Sequence, residues 1–209
     1  MPEITAPMEI EKRSFEIITE MLGNRVLDPE NEAVIKRVIH TTADLDFADT
    51  LVFSKHAVSK GIDALKSGCD IVTDTQMAKA GINKQILKSL GGEVHCFMSD
   101  PDVAEEAKAR GVTRAMVSME KASRLPGQCI YAIGNAPTAL FVLRDLLDKG
   151  QLDNAALIIA VPVGFVNVVE SKELIIASDV PHIAARGRKG GSSVAAAICN
   201  AMLYQIKRV

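Results

Sequence analysis

Apolar residues in this chain fall into short runs separated by longer amphipathic stretches. Segments 69–73, 93–97, 128–133 and 155–161 are too short for independent helices, and each reads as a strand; 182–185 reads as the last one. Segment 155–161 is apolar throughout, as expected of a strand covered on both faces. Between the strands, 75–90 reads as helix with a break at Gly81. Another helix starts at Pro101 behind Asp100 as N-cap and ends near Gly111. A third, 137–149, starts on Pro137, and the Ala-rich stretch 191–206 forms the last. The first sixty residues read as mostly helical, around 10–21 and 30–40. Strands separated by helices predict an α/β fold: a mainly parallel sheet between helical layers, with a helical N-terminal part, in one domain spanning 1–209.

Composition narrows what such a domain does. The 209 residues carry a net charge of −2, so no overall field attracts nucleic acid, a membrane surface or an anionic ligand, and an anion site must be built locally. Aromatics are 4% with no Trp, which argues against a base-stacking platform. Cys69, Cys96, Cys129 and Cys199 are widely spaced and read as small buried hydrophobes in a reducing compartment. Segment 1–13 lacks a basic start followed by an apolar core, and 155–163 is too short to span a bilayer, so a cytoplasmic location is expected.

In parallel α/β sheets, ligands sit beyond the carboxyl ends of the strands. Four segments there are polar or glycine-rich: 74–76, 134–138, 162–166 and 186–193. The last holds Arg186, Arg188 and Lys189 with Gly190, Gly191 and Ser192 opening a helix. Close backbone approach, free helix-terminal amides and arginine forks together suit an anion, although unaided amides contribute only about 0.3–1 kcal/mol. A solvated glycine loop fits the same residues. Asn135, in the 134–138 turn, faces the same crevice, and an ordinary strand-to-helix turn fits equally.

On the helix around 30–40, Val34, Ile35, Val38 and Ile39 make the apolar stripe. Arg37 and His40, three apart, lie together on the other side. They could pair an acid group and exchange a proton near neutral pH, or simply form a solvated face. His95 reads as a satisfied core histidine, His182 stands at a strand start, and His56 is weaker still. Asp44, Asp46 and Asp49 read as helix-start and surface charges. No nucleotide fingerprint, nucleophile elbow or metal-ligand spacing is present, so no metal and no protein-borne cofactor is expected.

Taken together, IEKRSFEII (10–18), IKRVIHTTADLDF (35–47), TDTQMAKAGINK (73–84), GNAPTAL (134–140), PVGFVNVVESKE (162–173) and GRKGGSSVAAAICNAML (187–203) resemble the precorrin-8X methylmutase family, on its cobalt-precorrin-8 side. The resemblance implies a flavodoxin-like three-layer sandwich, a homodimer with sites near the interface, and transfer of a methyl group from C11 to C12 of a corrin ring. The product is cobyrinic acid, or hydrogenobyrinic acid when no metal is present. The methyl never leaves the substrate, so no donor or cofactor is needed, and cobalt, if present, arrives inside the macrocycle.

The family's catalytic histidine matches His40, and its substrate-contacting serine and arginine match Ser14 and Arg37. Arg114 and the 186–193 loop are expected to hold peripheral carboxylates. Asn167-Val168-Val169 departs from the smaller residues expected there. Transient contact with neighbouring pathway enzymes also follows from the resemblance. The rival readings are a non-catalytic corrinoid carrier and a phosphate-ester enzyme on a flavodoxin-like fold.

Overall fold

The computed structural model describes residues 6–207. The ends of the expected 1–209 domain, and the first five residues of the expected leader-free segment 1–13, lie outside them. In chain order the elements are α1 (Pro7–Leu22), α2 (Glu32–Thr42), α3 (Phe47–Thr50), β1 (Leu51–Phe53), α4 (Ala57–Lys66), β2 (Asp70–Thr73), α5 (Gln76–Gly81), α6 (Lys84–Ser89) and β3 (Val94–His95). They continue as α7 (Pro101–Arg110), α8 (Arg114–Ala122), β4 (Cys129–Ile133), α9 (Pro137–Asp148), β5 (Ala155–Ala160), α10 (Val168–Ile176), β6 (His182–Ala185) and α11 (Ser192–Ile206).

The sheet order is β1-β6-β5-β4-β2-β3. β2 to β6 are mutually parallel, and only β1 runs antiparallel, along β6. Counting the parallel strands alone, the order is the 2-1-3-4-5 of doubly wound flavodoxin-like sheets, so the expected architecture is present. The chain leaves β2 towards β3 and returns to β4 on β2's other side, and the switch point lies between the carboxyl ends of β2 and β4.

Alternation along the strands builds the three layers. Ile130, Ala132, Leu157, Ile159, Ile183 and Ala185 face one core, under α2, α4 and α11. Cys129, Tyr131, Ile133, Ile158, Ala160 and Ala184 face the other, under α8, α9 and α10. The alanine-rich α11 lets its neighbours approach closely: a Cβ built on Gly81 of α5 would lie 2.9 Å from the Ala196 side chain.

Several expectations need correction. The N-terminal part contains a strand, β1, not foreseen, and α8 and α10 interrupt stretches that carried no helix assignment. β3 is two residues rather than the five of 93–97, because an edge strand pairs on one side only. Asp100 stands at the N-cap of α7 without a capping bond, and its carboxylate takes the Lys121 ammonium at 2.8 Å instead. His95 is not a core residue: it is half-buried, and its Nε2 meets Asp70 Oδ2 at 3.0 Å. All four cysteines are buried, and burial pushes the thiols of Cys69 and Cys129 up to about 12 and 11. Among the described residues, no helix is long and apolar enough to cross a membrane.

Candidate active site

The four polar segments do converge at the carboxyl ends of the strands. Asp74, directly after β2, is buried, and its carboxylate accepts from the amides of Gly134 (2.9 Å), Asn135 (2.8 Å) and Ala136 (2.6 Å). Burial pushes its carboxyl up from the ordinary range, and the three amides oppose that. A carboxylate of the protein therefore fills the nest that a phosphate takes in other switch-point sites, which weakens the phosphate-ester reading. Thr75 caps α5 and shares a 2.8 Å hydrogen bond with the hydroxyl of Ser192 at the start of α11. Gly134 touches the same place, where a Cβ would lie 2.7 Å from the Ser192 Cα. Asn135 itself is exposed at the rim.

The β5–α10 connection joins them. The Gly164 amide donates to the Arg188 carbonyl (3.2 Å), and the Gly191 amide to Val161 (2.8 Å). A Cβ on Gly190 would meet the Val161 carbonyl oxygen at 2.1 Å, so only glycine fits this approach. Asn167, the departure noted above, takes a left-handed conformation (φ 59°) at the start of α10, which Asn tolerates well; Val168 is buried beneath the loop.

The three cations of 186–193 differ in what holds them. Lys189 bonds Asp44 and Asp46, each at 2.6 Å, which holds its ammonium above the usual lysine range. It therefore points at the turn after α2 rather than into the crevice, and Asp44 and Asp46 are its partners rather than free surface charges. Arg186 reaches Glu173 at 3.4 Å. Arg188 is exposed and makes no ion pair among the described residues. Arg114 opens α8, and the Thr113–Thr138 hydroxyl contact (2.9 Å) sets it beside the start of α9, on the rim that carries Asn135.

A second cluster lies on α1 and α2. Val34, Ile35, Val38 and Ile39 are buried as expected, which turns His40 outward. Its ring stacks on Phe15, centroids 5.4 Å apart and planes at 15°. Arg37 lies over the same ring at 4.9 Å and over Tyr204 of α11 at 5.1 Å, and its guanidinium pairs with Glu11. Ser14 turns its hydroxyl back onto the Ile10 carbonyl at 2.8 Å. A cleft of about 560 Å³ opens on the Arg37 side of Phe15, lined by Phe15, Arg37 and Tyr204 with Met8, Lys12 and Asn83 among others; His40 and Ser14 are not part of its lining. Arg37 and His40 are thus brought together as expected, both against the ring of Phe15. Phe15 has one visible signal: it is one of only six phenylalanines and follows Ser14 directly. Lys189, bonded to the turn that begins three residues after His40, ties this cluster to the rim of the sheet.

The arrangement offers an exposed imidazole on an aromatic base, an open cleft, and separate polar groups at the strand ends. A family model described as precorrin-8X methylmutase (CbiC) matches residues 9–205. The chain is similar to the cobalt-precorrin-8 methylmutase of Salmonella typhimurium, 46% identical over 213 residues and 99% of each chain. It is also similar to that of Priestia megaterium, 44% identical over 96% of this chain and 89% of the relative. The solved structure of a precorrin-8x methyl mutase from Thermus thermophilus superposes with a TM-score of 0.84, at 35% identity, covering 93% of this chain and 96% of that one. With fold, motifs and near-complete coverage in agreement, the chain belongs to the precorrin-8X methylmutase family.

Proposed function

We propose that the chain catalyses the intramolecular migration of a methyl group from C11 to C12 of cobalt-precorrin-8 or precorrin-8, giving cobyrinic or hydrogenobyrinic acid, with His40 handling the proton. One observation carries the reaction class: the relatives matched end to end are named methylmutases, which also leaves the non-catalytic carrier unsupported. The proton role draws support from the exposed His40 ring stacked flat on Phe15, which fixes the ring plane while leaving its edge open to a ligand. Ser14 and Arg37 contact the macrocycle in this scheme, and binding must draw Arg37 from Glu11 or use the pair as it stands. Asn135, Arg114, Arg186, Arg188, Gly190, Gly191 and Ser192 hold its carboxylated periphery, while Lys189 braces the loop. The migrating group stays on the substrate, so no donor, resident metal or other cofactor enters, and any cobalt is part of the substrate. A homodimer is part of the same reading, supported by the exposed Met8, Ile10, Ile17 and Met21 of α1. So are a cytoplasmic location and passing contact with neighbouring pathway enzymes.

The test is conversion of cobalt-precorrin-8 to the product chromophore, followed by absorbance, with the metal-free substrate as comparison. The His40→Ala variant is expected to bind cobyrinic acid normally and to lose at least about two orders of magnitude in rate, the usual contribution of a positioned acid–base group. A variant with full rate would remove His40 from the mechanism.

A further inference from the structure

The loop assigned above to the substrate's carboxylates rests on a buried charge. Lys172 of α10 is 0% exposed. Its Nζ donates to the carbonyls of Gly187 (2.9 Å) and Lys189 (2.8 Å). The carbonyl between them, of Arg188, accepts from the Gly164 amide. Three successive loop carbonyls are therefore held on donors, and the Arg188 side chain is exposed.

Lys172 has no carboxylate partner among the described residues. Glu173 beside it reaches Arg186, and Asp44 and Asp46 hold Lys189. On α9, Arg144 is taken by Asp148 and the Leu174 carbonyl; on β6, His182 is bonded to the Val180 carbonyl. A buried ammonium satisfied only by carbonyls is electrostatically incomplete. A ligand carboxylate brought against this loop would be the missing counter-charge.

We infer that Lys172 is a positioning residue for substrate binding, holding segment 187–189 in its anion-receiving shape and supplying positive charge beneath it. The inference rests on the corrinoid reading above. Burial lowers the Lys172 ammonium to about 8, so its charge is lost in an accessible range. The sign follows from linkage. A bound carboxylate favours the charged form, so above this pH binding must take up a proton, and affinity falls by up to about ten-fold between about pH 7 and 9. Arginines and substrate carboxylates do not titrate there.

The experiment is absorbance titration of the full chain with cobyrinic acid from about pH 6.5 to 9.5, on the wild type, Lys172→Met and Lys172→Arg. The wild type is expected to show the alkaline weakening. Lys172→Met should bind more weakly at neutral pH and lack the alkaline limb. Lys172→Arg, charged throughout, should recover affinity without the limb. A purely structural lysine would lower affinity on substitution without moving the pH profile. A flat wild-type profile overturns the inference, and so does a limb that persists in Lys172→Met. Should neither variant fold, lysine ¹⁵N resonances of the wild type decide: one must titrate with the affinity, and its absence overturns the inference. If the wild type binds no cobyrinic acid at any pH, the corrinoid reading itself has failed, and this inference goes with it.

Discussion

Asp74 and Lys172 are opposite charges buried at the same end of the sheet, each satisfied by backbone groups rather than by a counter-ion. Removing the acceptor strands three amides at once. Asp74→Ala is expected to cost about 1–3 kcal/mol, read from urea unfolding, since the buried Gly134 amide loses its acceptor outright while those of Asn135 and Ala136 are only part-buried. A loss under about 1 kcal/mol would mean that water replaces the carboxylate. At this scale the sequence is legible only where chemistry and spacing coincide. His40 is visible because Val34, Ile35, Val38 and Ile39 turn it outward. Lys172 is not, because a lysine flanked by Ser171 and Glu173 reads as a solvated helix position, and its partners lie 15 and 17 residues further along the chain.

Among the elements, β2, β4, β5 and β6 match the apolar runs within a residue or two, because each is buried on both faces and the run itself is the signal. β1 has three residues and one partner, too little for any alternation to show. α4 carries Gly61 in its middle, which weakens its helical pattern. Two glycines make opposite predictions about how elements meet. At Gly134 an added Cβ meets backbone of Gly191 and Ser192 at 2.7–2.8 Å, and backbone cannot give way. Gly134→Ala should therefore cost about 1–3 kcal/mol and weaken cobyrinic acid binding by separating β4 from α11. At Gly61 the nearest atom is the Met202 Sδ at 2.6 Å, the mobile part of a flexible side chain. There the alanine's helix preference of about 1 kcal/mol offsets the repacking, and Gly61→Ala should leave the thermal midpoint nearly unchanged.

For the molecule as a whole, a net charge of −2 looks unsuited to an acidic macrocycle, and the structure answers locally. Lys189 is spent on Asp44 and Asp46, while Arg186, held only at 3.4 Å by Glu173, and the exposed Arg188 remain to meet an anion, with Lys172 buried behind them on the loop carbonyls. The exposed apolar residues of α1 argue for a second copy against that helix, beside the cleft. If the proposed homodimer forms through α1, Ile17→Glu is expected to shift the sedimentation coefficient to that of a monomer; an unchanged coefficient, or a monomeric wild type, would remove this contact. The antiparallel pairing of β1 with β6 also sets an order in time. Leu51 pairs with Ala185, and α2 lies along α11, so the segment carrying His40 docks against residues more than 130 positions further along the chain. Contacts so distant in sequence carry a high closure cost. The helix carrying His40 therefore takes its place only once residues 182–206 are there to pack against it.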